Sequence, residues 1–330
     1  MAFRSGFVSI IGRPNAGKST LLNALVGEKL AIVTHKPQTT RNRIQGFVNV
    51  VAKKGRPAAQ VIFIDTPGVH KPDSSLGKKM MHEVHDALAS QDVILLLVDV
   101  TQKFGGGDEF VLKLVKGDKP VFLLLNKIDL IDKEKLLPII SRYGELYPFK
   151  EVIPISAFKK NGLDLLLDKV IGALPEGPRY FPKDQITDQP ERFIVAEIIR
   201  EKVFQSADQE VPYGTAVVVE KFEEAESSGK PRKGTSGKSG LTRISAAIFC
   251  ERDSHKAILI GHGGSMLKKI GTAARFEIER LLGTKVFLEL FVKVQENWRQ
   301  ANAFIESLDW RRQLEDLAVK QAREEANSEE

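Results

Sequence analysis

The stretch "GRPNAGKST", Gly12–Thr20, decides how the first half of the chain folds. Glycines stand at 12 and 17, a lysine at 18 and a hydroxyl residue at 19. This is the G-x-x-x-x-G-K-S/T spacing of a phosphate-binding loop. The run "FVSIIG" before it reads as a strand, and "KSTLLNALVG" after it reads as a helix ending at Gly27. That context separates the motif from a chance glycine turn. The chemistry needs each residue type. Glycines let the backbone N–H groups of Arg13, Pro14's neighbours Asn15 and Ala16, and the residues up to Thr20 curl around phosphate oxygens. The helix N-terminus adds partial positive charge. Lys18 reaches the β and γ phosphates, and the Ser19 hydroxyl ligates Mg²⁺.

Working outward, short apolar runs alternate with helical segments through residue 176. "GFVNVV" and "QVIFID" are joined by a turn around Lys53 to Pro57. "DVILLLVDV", "PVFLLLN" and "EVIPIS" each precede a helical stretch. Near-continuous apolar strands between helices predict an α/β fold with a mostly parallel sheet covered on both faces. Such sheets bind ligands at the carboxyl ends of their strands.

Further motifs stand at predicted strand ends. In "NKID", Asn126, Lys127, Ile128 and Asp129, the Asp129 carboxylate can accept both hydrogen bonds of guanine's N1–H and N2–H₂ edge. Adenine offers no such pair. Asn126 is expected to bond the base and the loops, and the Lys127 stem to cover the ring. In "DTPG", Asp65, Thr66, Pro67 and Gly68, Asp65 can hold the Mg²⁺ shell and the Gly68 N–H can meet the γ phosphate. In "PQTTR", Thr40 rather than Thr39 is expected to join Mg²⁺ when the γ phosphate is present. A backbone N–H at Ser156–Ala157 could read guanine O6. With these motifs in order, residues 1–176 resemble the translation-factor-related P-loop GTPases. Where Ras-type enzymes carry a water-orienting glutamine, this chain has Val69. The resemblance narrows to the branch with a hydrophobic residue there, in which an asparagine matching Asn15 can help bind K⁺. Capping of the loop backbone is the other reading of Asn15. The catalytic set is then Lys18, Thr40 and Asn15, with a slow basal rate expected.

"LPEGPRYFPKDQITDQP" follows, with four prolines, and reads as a linker over 177–190 that Tyr180 and Phe181 could pin down. A helix at 191–204 and two strands come next. Between the strands lies a basic segment, expected to be a flexible loop. Then "ILIGHGGSMLKKIG" holds a G-x-x-G turn, Gly261, His262, Gly263 and Gly264, between two helices. Leu267, Ile270, Ala274, Ile278 and Leu281 form an apolar stripe on the second helix, while Lys268 and Arg275 share another face beside Lys269. A glycine turn that lets a nucleic-acid backbone approach, with basic side chains beside it, is the KH arrangement. On "EIIREKVF", "LPEGPRYFP", "VPYG" and "LELFVKV", the whole chain resembles the Era family of bacterial GTPases, which carry a C-terminal type II KH domain. The resemblance implies binding of small-subunit ribosomal RNA near its 3′ end, a role in small ribosomal subunit assembly, and loose association with the inner membrane. It departs from the family in a basic insertion at 226–240 and an acidic tail at 311–330, so the KH domain is placed at 191–310.

Composition agrees with two globular domains. The chain has 330 residues, 42% hydrophobic and 28% charged. Residues 1–180 hold 26 basic and 18 acidic side chains, residues 229–275 hold ten and two, and the last sixteen hold two and six. A concentrated basic segment suggests a polyanionic partner, with a solvated face as the alternative. One cysteine, Cys250, excludes an internal disulfide framework and reads as a buried thiol. No apolar run is long enough to span a bilayer and no signal segment opens the chain, so a cytoplasmic monomer is expected. His35, His82 and His85 lack the spacing of a metal site. Trp298 and Trp310 are expected to pack the last helix rather than stack bases. Two other functional classes fit in outline: a membrane-associated regulatory GTPase whose KH-like half is a protein-interaction surface, and an RNA-binding module that uses GTP as a structural ligand.

Overall fold

The structure is a computed structural model that describes residues 2–115, 118–208, 210–224, 240–315 and 318. It divides into two compact units, one of residues 1–73 and 77–189, the other of 74–76 and 190–330.

The first unit runs β1 (Arg4–Gly12), α1 (Lys18–Val26), β2 (Ile44–Val50), β3 (Ala59–Asp65), α2 (Ser75–Ala89), β4 (Val93–Asp99), α3 (Gly106–Leu114), β5 (Val121–Asn126), α4 (Leu136–Gly144), β6 (Glu151–Ile155) and α5 (Leu163–Ala173). Its sheet has the order β2-β3-β1-β4-β5-β6. Only β2 runs antiparallel to its neighbour. β3 and β5 are buried along their whole length, as apolar runs covered on both faces must be. One core, with Val8, Ile10, Leu21, Phe63 and Leu124, lies under α1 and α5; another, with Ile11, Val84, Leu96 and Leu123, lies on the opposite side. Because β1 and β3 to β6 are parallel, Gly12, Asp65, Asp99, Asn126 and Ile155 emerge along one rim.

The linker segment is strapped onto this unit by the aromatic pair expected to pin it down. Gln60, buried in β3, accepts the N–H groups of Tyr180 (2.8 Å) and Phe181 (3.0 Å) and donates to the Phe181 carbonyl (2.9 Å). Phe181 stacks on Phe47 with ring centroids 3.9 Å apart, and Tyr180 tilts against Phe7. The Phe47 N–H donates to the Ile186 carbonyl at 2.8 Å, and the Thr187 hydroxyl to the Gln45 carbonyl at 2.7 Å. The outer edge of β2 and the buried amide of Gln60 both need partners, and this segment supplies them.

The second unit runs α6 (Glu191–Ser206), β7 (Ala216–Glu223), β8 (Leu241–Cys250), α7 (Asp253–Ile260), α8 (Ser265–Leu282), β9 (Lys285–Val294) and α9 (Asn302–Ser307). Its sheet has the order β7-β8-β9, antiparallel then parallel. Val195, Ile199 and Val203 of α6 and Ile270, Ala274 and Ile278 of α8 pack on Ala246 and Ile248 of β8. The predicted apolar stripe on α8 is cut short at its end: Leu281 is 40% exposed, and Leu282 packs against the core instead. Trp298 is fully buried and donates to the Gly214 carbonyl at 2.9 Å, and Trp310 tilts against Phe193. Burial raises the Cys250 thiol above its ordinary range. Residues 310–315 are helical. The expectations for the basic insertion, apart from Gly240, and for most of the acidic tail lie outside the described residues. No helix among the described residues is long and apolar enough to cross a membrane.

Candidate functional site

The rim of parallel strand ends borders a cavity of about 860 Å³, lined at one end by Lys18, Ser19 and Thr40 and at the other by Lys127, Asp129 and Ala157. Gly17 makes the loop possible. Its φ is +98°, and a Cβ there would lie 2.4 Å from the Asn126 amide nitrogen. A Cβ on Gly68 would lie 2.9 Å from the Pro14 backbone, so the "DTPG" segment can approach the loop only as glycine. The Lys18 ammonium donates to the carbonyls of Gly12 (3.2 Å) and Arg13 (3.1 Å). Burial lowers its pKa to about 8, opposed by the Asp65 charge. Burial raises Asp65 to about 6, opposed by Lys18 and by hydrogen bonds from Ser19 and Thr40.

Three oxygen-bearing side chains converge beside Lys18. The Ser19 hydroxyl donates to Asp65 at 2.7 Å and lies 2.8 Å from the Thr40 hydroxyl, which is 3.4 Å from the same carboxylate oxygen. The other oxygen, Asp65 Oδ1, is buried with no hydrogen-bond partner among the described residues. Ligands of an octahedral Mg²⁺ at about 2.1 Å stand roughly 3 Å apart, so this donor set fits that ion. Thr39 is engaged elsewhere, with Thr34 (2.6 Å) and the Lys36 carbonyl (2.7 Å). Thr66 donates to the Ile10 carbonyl, and Val69 is buried among Ile11, Met81 and Val84. The exposed Asn15 donates its amide to the His35 carbonyl at 2.7 Å, a tie between two loops.

At the other end, Asn126 makes the loop contacts expected of it. Its amide donates to the Ala16 carbonyl (2.7 Å) and its oxygen accepts the Ala157 N–H (3.0 Å). The side chain therefore braces the phosphate loop to the loop after β6. The Ala157 N–H is the donor in the second of these bonds, and the Ser156 N–H donates to the Asn161 carbonyl. Asp129 is exposed in the cavity. Lys127 sits at φ +69° and its ammonium pairs with Asp99 at 2.6 Å, which lays the stem across the base end. Leu130 (65% exposed) and Phe158 (77% exposed) flank the same end. Sequence reading missed Asp99, whose signal was its place at the end of β4. Phe158 and Leu130 carried no signal.

In the second unit, Gly261 has φ +72°, and a Cβ there would meet Met266 at 2.7 Å. Gly264 has φ +80° and caps α8. His262, Gly263, Lys268, Lys269 and Arg275 are all exposed. The turn thus presents bare backbone and a helix N-terminus, with basic side chains along the outward faces of α8.

Comparison with known proteins agrees with this arrangement. A family model described as 50S ribosome-binding GTPase matches residues 7–127, and a KH domain model matches residues 210–299. GTPase Era of Ruminiclostridium cellulolyticum is 50% identical over 312 residues, covering 94% of this chain and 99% of its own. The chain belongs to the Era family of GTPases. GTPase Era of Geobacter metallireducens is 52% identical over 309 residues, 93% of this chain and 98% of its own. A crystal structure of Era with MgGDPNP and nucleotides 1506–1542 of 16S ribosomal RNA superimposes with a TM-score of 0.86 at 37% identity, over 93% of this chain and 99% of that one. Aquifex aeolicus Era bound to GDP and aluminium fluoride gives 0.82 at the same identity and coverage. As a member of the Era family, the protein is a P-loop GTPase with a C-terminal KH domain that hydrolyses GTP to GDP and phosphate.

Proposed function

We propose that this GTPase is a switch that binds small-subunit ribosomal RNA near its 3′ end and assists small-subunit assembly. The observation that carries the reading is the exposed Gly261–Gly264 turn at the head of a basic helix, in the same chain as a guanine-nucleotide cavity. The crystallised relative at 37% identity holds a 16S RNA segment that includes the 3′ region. Lys18 leaves the two loop carbonyls and meets the β and γ phosphates, where its charge offsets what builds up in transfer. Ser19, Thr40 and Asp65 would hold Mg²⁺, which supplies charge neutralisation at the β and γ oxygens. Asp129 accepts from the guanine edge, and Lys127 covers the ring. Val69 can neither donate nor accept a proton, so it takes no part in proton transfer and the basal rate is slow. Assembly of small subunits places the protein in the cytoplasm, with peripheral contact at the inner membrane as the finer expectation from the family.

The test pairs two measurements on the full chain. A 3′-terminal 16S oligonucleotide should bind more tightly than a scrambled one, and RNA that copurifies should be enriched in that region. Equal affinity for the two oligonucleotides would overturn the RNA assignment. A protein that binds the RNA but turns over no GTP would support the structural-ligand alternative.

A further inference from the structure

We propose that Asp108, outside every GTPase motif, is a positioning residue for the phosphate loop and acts through the Arg13 side chain. Arg13 is the second residue of the loop, and its guanidinium turns away from the loop backbone to pair with Asp108 at 2.9 Å. Asp108 is only 6% exposed. Its two oxygens also accept the Gly105 N–H and the Tyr143 hydroxyl, each at 2.9 Å. The carboxylate is thereby held by the first turn of α3 and by α4, independently of Arg13. The "GGGD" run, otherwise unexplained, is shaped for this contact: a Cβ on Gly107 would lie 2.9 Å from the Arg13 Nε. The guanidinium lies flat against the start of α3 because no side chain stands there.

The consequence falls on the loop backbone. The Arg13 carbonyl accepts both the Lys18 ammonium (3.1 Å) and the Ala16 N–H (3.3 Å). Fixing the Arg13 side chain therefore fixes the peptide that sets both the curl of the loop and the resting place of Lys18. A loop ordered before the nucleotide arrives gives up less conformational entropy on binding. The Asp108 end of the pair is buried and fixed by its other two bonds while the Arg13 side chain is 37% exposed, so the ordering comes from the held carboxylate rather than from the strength of the ion pair. This inference rests on the reading that Lys18 receives the phosphates.

The experiment compares Arg13→Ala, Asp108→Asn, their double variant, Tyr143→Phe and Lys18→Ala in the full chain. The readouts are displacement of a fluorescent GDP, KM and kcat for GTP, and melting temperature. Arg13→Ala and Asp108→Asn should each weaken GDP binding on the order of tenfold, the cost of ordering one or two residues at binding. KM should rise with kcat little changed, because ordering of the loop serves ground and transition states alike. The double variant should be no worse than the weaker single one. Tyr143→Phe removes a bond to the same carboxylate without touching Arg13; it should lower the melting temperature and leave GDP affinity within threefold. Multiplying losses in the double variant, or a loss in Tyr143→Phe equal to that in Arg13→Ala, would overturn the proposal by showing a general packing effect. Normal affinity in Arg13→Ala would overturn it as well. Normal affinity in Lys18→Ala would instead refute the phosphate reading on which it rests.

Discussion

Replacing Gly17 with alanine tests how tightly the two ends of the nucleotide cavity are joined. Two costs follow from the structure. The backbone at Gly17 has φ +98°, a region that costs a side-chain-bearing residue about 1–2 kcal/mol. The new methyl would also sit 2.4 Å from the Asn126 amide nitrogen, roughly 1 Å inside ordinary contact. Asn126 must then move, and it makes two buried hydrogen bonds, to Ala16 (2.7 Å) and from Ala157 (3.0 Å). Breaking them leaves buried polar groups unpaired at roughly 1–3 kcal/mol each. The total is on the order of 3–8 kcal/mol, divided between unfolding of the first unit and nucleotide binding. Isothermal titration with GDP should show affinity down by about a hundredfold or more, and calorimetry should show the first unit melting earlier. Asn126→Ala breaks the same bonds without the clash or the strained φ, and should fall between wild type and Gly17→Ala. Gly17→Ala that binds GDP within threefold of wild type, with an unchanged melting curve, would refute the reasoning.

Asp129→Asn should reject GTP and accept xanthosine triphosphate, with selectivity changed on the order of 10⁴-fold in competition binding, because paired hydrogen bonds to a base edge discriminate strongly. Thr40→Ala should lower GTP turnover while GDP affinity stays near wild type. Val69→Ala should leave turnover within about twofold and cost roughly 1–2 kcal/mol of stability, since this side chain is buried in the core; a turnover loss as large as that of Thr40→Ala would show a chemical role. Gln60→Ala removes three hydrogen bonds to Tyr180 and Phe181, and limited proteolysis should then cut within 177–190 while GDP affinity is kept. Aspartate at both His262 and Gly263 should abolish binding to the 3′-terminal 16S oligonucleotide with basal hydrolysis unchanged; normal binding would make the turn a mere helix connector.

Most of the cavity's parts were legible because each motif is contiguous and its chemistry demands particular residue types. A loop that wraps phosphates needs Gly17 and Lys18 at fixed spacing. Guanine needs a carboxylate such as Asp129 at a strand end. The alternation of apolar runs with helices likewise dictates a parallel sheet, and parallel strands bring those motifs to one rim whatever the details of packing. The G-x-x-G turn was legible for the same reason.

What sequence could not show are contacts between residues far apart in the chain. Asn126 and Ala157 belong to separate motifs, and only the folded sheet sets them 3.0 Å apart, so which loop groups the asparagine braces was decided by folding. Asp108 belongs to no motif, and only folding brings it to Arg13. Tyr180 and Phe181 marked the proline-rich segment as one that could be pinned, but local composition says nothing about the unpaired edge of β2 or the buried amide of Gln60 that capture it. The sequence by itself determined the fold class, the guanine-nucleotide site and the KH turn, because those depend on local periodicity and on spacing within a few residues. Tertiary structure alone decided which polar groups satisfy one another, because a buried donor takes whichever acceptor the packed chain brings within about 3 Å, however distant in sequence.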